Sequence, residues 1–180
     1  MTIRPADPDR DAAACAAIYA PSVESTPTSF ELVAPDAAEF AHRIEAYSAT
    51  HQFLVAEADD VVIGYAYACR WRERQAYDWA VEVSVYVDAG HQGEGVGRAL
   101  YLELLDRLRA QGFHVAVAGI TLPNPASVAL HERLGFESIG ALRQIGWKVG
   151  GWHDVGYWQL LLQSDAADSP PPPLPAGPTT

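Results

Sequence analysis

Residues 92–97 have the composition of a phosphate-binding loop. They read Gln-Gly-Glu-Gly-Val-Gly, and they follow an alternating apolar strand that ends at Val87. A helical pattern of apolar residues begins at Val96 and runs to Leu108. A loop between a strand and a helix start directs free backbone N–H groups at an anion, and glycine lets the backbone approach the ligand closely. The loop is therefore a candidate phosphate site.

The spacing of these glycines excludes two common phosphate-binding motifs. A dinucleotide-binding fingerprint requires Gly-x-Gly-x-x-Gly, but Arg98 occupies the third glycine position. A P-loop ends in Gly-Lys-Ser/Thr, which this stretch lacks. What remains is Gln-x-x-Gly-x-Gly. An ordinary strand-to-helix turn is the alternative interpretation of the same residues.

The composition restricts the kinds of partner. The chain has 180 residues, is 49% hydrophobic and carries a net charge of −11, so we expect one globular domain over residues 1–163 and no nucleic-acid or membrane partner. The N-terminus is polar, which predicts no signal peptide or membrane span. Cys15 and Cys69 lie in apolar surroundings, which favours reduced thiols in the cytoplasm. No His/Cys cluster has metal-ligand spacing, so we expect no metal.

The pattern of apolar, glycine and proline residues predicts an α+β fold, a single sheet with helices on both faces. One helix is expected to end before Pro21, and residues 71–78 are expected to interrupt the strands. A tail from residue 164 to residue 180 holds six of the 13 prolines and is expected to be disordered. The remaining expected elements are helices at 11–20, 36–46 and 126–134, strands at 52–57, 61–70, 113–120, 136–147 and 155–162, and a linker at 148–154.

Five stretches together resemble one group of enzymes. They are residues 75–79 (QAYDW), 85–87 (VYV), 122–128 (LPNPASV), 131–136 (HERLGF) and 151–160 (GWHDVGYWQL). With the glycine loop, they resemble the phosphinothricin N-acetyltransferase group of the GNAT superfamily, which includes the methionine sulfone and sulfoximine acetyltransferases. The resemblance spans residues 3–162. It implies the GNAT fold, with a mixed, mostly antiparallel, twisted sheet of about seven strands, and it implies a homodimer.

The resemblance also implies a reaction and two catalytic residues. Acetyl-CoA would be the co-substrate, and the acceptor would be a small amino acid whose amine attacks directly in a ternary complex. Glu82 falls on the family's proposed base, which removes the proton from the attacking amine. Alternation places Glu82 on the strand face of Ser84 and Tyr86. His131 would assist the leaving thiolate. The alternatives are a solvent-facing ion-paired glutamate and a hydrogen-bonded core histidine.

Residues for the co-substrate follow from the same resemblance. The backbone of the strand end would pair with the pantetheine amides, and the glycine loop would hold the pyrophosphate. A bridge from Arg98 to Glu94, or a helix N-cap at Asn124, is the alternative role of those side chains. The expected co-substrate residues are Val85, Tyr86, Val87, Gln92, Gly93, Glu94, Gly95, Val96, Gly97, Arg98, Asn124, Ser127 and Arg133.

The acceptor residues are expected in the stretch before the Glu82 strand. Two arginines spaced Arg-x-Arg can hold a carboxylate or phosphinate, although Glu73 between them could instead form surface ion pairs. Glu31 stands where the phosphinothricin enzymes have arginine, which leaves methionine sulfone or sulfoximine open as the acceptor. Another amine, or a non-catalytic acetyl-CoA-binding module, is a further alternative. The expected acceptor residues are Arg72, Arg74, Gln75, Ala76 and Tyr77.

Overall fold

A seven-stranded sheet carries four α-helices in the computed structural model, which describes residues 1–164 and 170–176. The α+β fold with helices on both faces is therefore confirmed. The elements follow one another as β1 (Thr2–Pro5), α1 (Pro8–Glu24), α2 (Ala37–Ser48), β2 (Phe53–Ala58), β3 (Val61–Arg70), β4 (Ala80–Val87), α3 (Val96–Gln111), β5 (Val115–Leu122), α4 (Pro125–Arg133), β6 (Glu137–Lys148) and β7 (Gly151–Leu161). None of these helices is long and apolar enough to cross a membrane.

The strands are arranged in the order β1-β2-β3-β4-β5-β7-β6. Neighbours pair antiparallel except β4 and β5, which run parallel and pair over residues 80–82 and 115–117. Beyond residue 82 no strand pairing with β5 continues along β4 in the described chain. The two strands therefore part in the middle of the sheet, and the backbone of residues 83–87 that faces β5 is left without a strand partner.

The two faces of the sheet have separate hydrophobic cores. Val81 and Val83 of β4 pack with α3 in one core, whereas Tyr86 packs with α1 and α2 in the other. Successive side chains of a strand point to opposite faces, so Glu82 and Ser84 lie on the side of Tyr86, as the alternation predicted. We call this side the α1–α2 face. The other side, which α3 and α4 cover, is the α3–α4 face.

The first helix is longer than the sequence suggested. It continues through Pro21 to Glu24, so the predicted end before Pro21 is wrong. Proline lacks an N–H and gives up one helical hydrogen bond. Tyr19 and Val23, one helical turn apart, are both buried on the same side. Burial of that apolar stripe offsets the lost bond.

The predicted linker at 148–154 is also wrong. Val149 and Gly150 form a two-residue turn, with φ of 50° and 72°, that joins β6 directly to β7. Positive φ at both central positions matches the twist of paired strands. Asn-Gly is the usual signal for such a turn, and Val-Gly is not, which explains why the sequence pattern suggested a longer connection.

The proline-rich tail meets the domain at two points. Nε1 of Trp79 donates to the carbonyl of Pro171 at 2.7 Å. Leu174 donates its N–H to the Gln111 carbonyl at 2.8 Å, and Nε2 of Gln111 donates to the Leu174 carbonyl at 3.0 Å. Residues 165–169 and 177–180 lie outside the described residues, so disorder of the tail from residue 164 stays a prediction.

Candidate active site

The glycine loop is an open cradle at the start of α3. Gly93 and Gly95 have φ of 82° and 87°, a region that disfavours other residues, and a β-carbon on either would meet nothing within 4 Å. Gly95 is the N-cap residue and offers no side chain to the first N–H groups of the helix. Arg98 is exposed in that first turn and, within the described residues, forms no ion pair with Glu94. These groups are suited to an anion.

A pocket lies where β4 and β5 part. It extends from the α1–α2 face, where Thr28 and Gly119 line it, to the α3–α4 face, where His131 lines it. Its wall therefore includes the unpaired part of β4. The lining residues are Thr28, Val83, Ser84, Val85, Tyr86, Tyr101, Ala118, Gly119, Ile120, Thr121, Asn124, Ser127 and His131.

Glu82 lies at the last paired position of β4, on the α1–α2 face. Its cross-strand neighbours are Cys69 on β3 and Val117 on β5. Burial raises the pKa of the Glu82 carboxyl, and the positive charge of Arg72 acts in the opposite direction. A carboxylate with a raised pKa is a better proton acceptor at neutral pH than an exposed one.

An aromatic wall adjoins this carboxylate. The guanidinium carbon of Arg72 lies 4.1 Å from the centre of the Trp71 ring. Trp71 in turn packs edge-on against Tyr157, with ring centres 5.7 Å apart. Tyr157 is paired with Gly119 across β5 and β7. Arg72 is thus held by stacking on Trp71, near enough for its charge to act on the Glu82 carboxyl.

Arg72 is exposed, and so is the rest of the predicted acceptor stretch. Residues 75–77 form a short 3-10 helix, and Arg74 precedes it as an exposed residue. Within the described residues, neither Arg72 nor Arg74 forms an ion pair with Glu73. Arg70 pairs instead with Asp78 and ties the two ends of the stretch together.

His131 is buried on α4, with 3% of its surface exposed. Its Nδ1 lies 2.8 Å from the Ser127 carbonyl, and its Nε2 lies 3.0 Å from the Tyr101 hydroxyl. A carbonyl can only accept, so Nδ1 carries the proton and Nε2 accepts from Tyr101. Burial lowers the pKa of His131, and the bond to Ser127 opposes that shift. The imidazole is therefore neutral near pH 7.

Of the other predicted co-substrate residues, some lie at the pocket or beside the unpaired end of β4, and one lies away from both. Asn124 caps α4 by accepting from the N–H of Ser127 at 3.1 Å, and both residues line the pocket. Nε2 of Gln92 lies 3.4 Å from the Val87 carbonyl, beside the unpaired end of β4. Arg133, by contrast, is exposed at the far end of α4 and is absent from the pocket lining.

Comparison with known proteins decides the family. Residues 19–136 match the family model described as Acetyltransferase (GNAT) family. The chain belongs to the GNAT acetyltransferase family.

The similarity to individual proteins extends over almost the whole chain. The phosphinothricin N-acetyltransferase of Streptomyces viridochromogenes is 44% identical over 100% of this chain and 95% of that protein. The L-methionine sulfoximine/L-methionine sulfone acetyltransferase of Salmonella typhimurium is 40% identical over 93% of this chain and 98% of its own length. Among solved structures, a phosphinothricin acetyltransferase from Sinorhizobium meliloti in complex with acetyl-CoA superimposes with a TM-score of 0.90, at 37% identity, over 94% of this chain and 92% of that one.

Several residues in and around this pocket were absent from the sequence-based expectation, and four of them show why. Gly119, Thr121 and Tyr157 come from β5 and β7, and Tyr101 comes from α3. The alternation within each strand gives the face of a residue, but not which strand lies beside it. Tyr101 lies on the apolar stripe of α3, where an aromatic residue is indistinguishable from ordinary core.

Proposed function

We propose that this acetyltransferase moves an acetyl group from acetyl-CoA to the amino group of phosphinothricin or a closely similar amino acid. The observation that carries the proposal is Glu82, a half-buried carboxylate at the point where β4 and β5 part, beside the cation of Arg72. The names of the similar enzymes support the acceptor class. Acetyl-CoA in the Sinorhizobium meliloti structure supports the donor.

The glycine loop and the unpaired strand edge are assigned to acetyl-CoA. Residues 93–97 and Arg98 receive the pyrophosphate, because the first N–H groups of α3 and one cation converge there in an otherwise acidic chain. The backbone of Val85 and Val87 has no strand partner on the β5 side among the described residues, and it is assigned to the pantetheine amides, with the Gln92 amide beside the Val87 carbonyl. Asn124 and Ser127 line the opposite wall of the same pocket.

Glu82 is assigned the role of base. The acceptor ammonium gives one proton to Glu82, and the neutral amine attacks the thioester carbonyl carbon. The C–N bond forms, the C–S bond breaks, and the nitrogen loses its second proton. The sulfur leaves as a thiolate and takes up a proton, so one proton is released to solvent overall. Proximity in the ternary complex contributes about 7–11 kcal/mol to such a transfer.

His131 is assigned to the leaving group together with Tyr101. Both line the pocket, and the Tyr101 hydroxyl is the donor that His131 holds through Nε2. A hydroxyl has one proton to donate, so the Tyr101 O–H must turn from Nε2 of His131 to the departing sulfur in order to stabilise the developing thiolate by a hydrogen bond. The role predicted for His131 alone is thus extended to a pair of residues.

The acceptor is assigned to the α1–α2 face. Arg72 is placed to bind its carboxylate or phosphinate, and the rings of Trp71 and Tyr157 form a wall for its side chain. Methionine sulfone and sulfoximine are the second candidates. At residue 31 this chain has glutamate where the phosphinothricin enzymes that it resembles have arginine, so these two compounds remain candidate acceptors.

Release of CoA thiol from acetyl-CoA tests this proposal. The purified chain is assayed with phosphinothricin, methionine sulfone, methionine sulfoximine and the cationic polyamine spermidine. We expect the highest kcat/KM with phosphinothricin and the lowest with spermidine, since Arg72 repels a cation. Acetyl-CoA binding without turnover of any amino acid would contradict it.

A homodimer is proposed from the exposed edge of the sheet. Strand β6 is one of the two edge strands, and four side chains on β6 and β7 are each 53–59% exposed: Ile139, Ile145, Trp147 and Trp152. An apolar edge of this length promotes association unless it is covered. Sedimentation should give twice the monomer mass, and Trp147→Asp should return the monomer.

A cytoplasmic location and phosphinothricin resistance in cells expressing the chain complete the proposal.

A further inference from the structure

Lys148 is the only lysine in the chain, and it is buried. It is the last residue of β6, and 7% of its surface is exposed. Its Nζ donates to the carbonyl of Ser29 at 2.6 Å. Burial lowers the pKa of this ammonium, and the charge of Glu31 acts against that shift. Burying an ammonium is costly, so a group that stays there calls for a physical explanation.

The loop that Lys148 contacts is held from the other side by α1 and α2. The Tyr19 hydroxyl lies 2.6 Å from Oγ of Ser29 and donates to Glu31 at 2.9 Å. Arg43 donates to both carboxylate oxygens of Glu31, at 2.8 and 3.1 Å. A forked guanidinium–carboxylate pair of this kind fixes the orientation of both groups. Both carboxylate oxygens of Glu31 are therefore already hydrogen-bonded within the fold.

The same loop reaches the pocket. Thr28 lines the pocket, and its carbonyl accepts from Oγ1 of Thr121 at 3.4 Å. Two residues later, the Phe30 ring lies over Gly146 of β6, where a β-carbon would be 2.1 Å from the ring. Three consecutive residues thus connect the pocket wall, the Lys148 ammonium and the β6 backbone.

We propose that Lys148 is a positioning residue for the acceptor, because its ammonium holds the Ser29 carbonyl and thereby fixes Thr28 at the α1–α2 end of the pocket. This inference rests on the proposed function, since it assigns that end of the pocket to the acceptor. Glu31 and Arg43 hold the loop from the opposite side through their own ion pair, and neither lines the pocket. The residue that replaces the family arginine is thereby given a structural role.

Steady-state kinetics of Lys148→Met test the inference. Loss of one charge-assisted hydrogen bond should raise the acceptor KM about tenfold. The acetyl-CoA KM and kcat should stay within about twofold, because the glycine loop and Glu82 are untouched. Lys148→Arg keeps a donor and should restore most of the acceptor affinity. Equal effects on both substrates, or no effect on the acceptor KM, would overturn the proposal.

Arg4→Met is the matched control. Arg4 is also a partly buried cation, paired with Asp11 and Glu57 at the far edge of the sheet. Its loss should lower the melting temperature and leave the acceptor KM unchanged. If Lys148→Met fails to fold, Glu31→Gln weakens the same loop with the lysine intact, and the same split between the two KM values is expected.

A second readout does not depend on turnover. Protein labelled with 13C at the lysine ε-carbon gives one signal, from Lys148, whose titration we expect below the usual lysine pKa of about 10.4. Glu31→Gln should lower that pKa further, because it removes the negative charge facing the ammonium; Arg43, Tyr19 and His153 are the other titratable groups nearby. If the Lys148 signal titrates at the usual lysine pKa, and that pKa does not change in Glu31→Gln, the proposed contact of Lys148 is wrong. Inactive wild-type enzyme with the expected titration would instead refute the proposed function alone.

Discussion

Gly119 leaves open the space beside Glu82: a β-carbon built on Gly119 would lie 3.6 Å from Oε1 of Glu82. The same β-carbon would lie 3.3 Å from the Tyr157 ring. Residue 119 on β5 therefore sets the distance between the carboxylate and the aromatic wall. In the proposed reaction, the acceptor amine approaches Glu82 through this space.

Gly119→Ala should weaken acceptor binding. The added methyl group crowds Tyr157 and narrows the approach to Glu82, so we expect the acceptor KM to rise about tenfold, equivalent to about 1.4 kcal/mol. The acetyl-CoA KM should not change. Gly151→Ala is the control, since a β-carbon there would have only the His153 ring, at 3.9 Å, within reach. An unchanged acceptor KM in Gly119→Ala would place the acceptor elsewhere.

Arg72→Gln should change both affinity and pH dependence. Loss of the cation should raise the acceptor KM about tenfold or more. The charge of Arg72 also lowers the pKa of Glu82, so its removal should raise that pKa and move the acid limb of the kcat/KM profile to higher pH. A pH–rate profile of both enzymes measures the shift, with Arg109→Gln as control, because Arg109 is a half-exposed cation that pairs with Asp106 on α3. A shift to lower pH would contradict the arrangement.

His131 and Tyr101 should behave as one unit. His131→Ala and Tyr101→Phe each remove one side of the 3.0 Å hydrogen bond, and we expect each to lower kcat about tenfold or more. Because both act on the same sulfur, the double variant should be little worse than the poorer single variant. Full kcat in His131→Ala from about pH 6 to 9 would make the histidine purely structural.

The fold was predictable because its signals are local. Alternation along β4 gave the face of Glu82, and the helical pattern of apolar residues that begins at Val96 gave the start of α3. The helix end predicted before Pro21 was wrong because burial of Tyr19 and Val23 in the core outweighs one lost hydrogen bond. Rules that rest on neighbouring residues fail where tertiary packing supplies the free energy that stabilises an element.

The site was predictable only in part. Glu82 and the glycine loop lie in one continuous stretch, so the sequence places them together. Tyr157 reaches the site from β7, whereas Lys148 on β6 reaches the Ser29 carbonyl of the loop beside it, and the register of both strands is set by the whole sheet. Nothing local distinguishes Lys148 from an exposed lysine in a turn.

Acid should destabilise the protein through Asp11. Burial raises the pKa of this carboxyl, but hydrogen bonds from Arg4 and the Asp7 N–H outweigh burial, and the pKa lies below the ordinary value. The resulting stability is present above the unfolded pKa of about 3.9 and is lost as pH falls through the folded pKa. At pH 7 we expect Asp11→Asn to cost about 3 kcal/mol.

Denaturant unfolding across pH measures this effect. The difference in unfolding free energy between wild type and Asp11→Asn should shrink as the pH is lowered below about 4. Asp60→Asn is the control, because Asp60 is exposed in the turn between β2 and β3 and asparagine tolerates its positive φ of 62°. A difference that stays constant down to low pH would show that the ion pair carries no stability.

The pH dependence of kcat/KM for phosphinothricin in wild type and Glu82→Gln tests the central claim most directly. With Glu82 as base, wild-type kcat/KM should fall as the pH drops through the raised pKa of this carboxyl. Glu82→Gln should be about 100-fold slower near neutral pH and should lose that acid limb, while acetyl-CoA binding is kept. A variant with wild-type turnover and an unchanged profile would remove Glu82 from the mechanism.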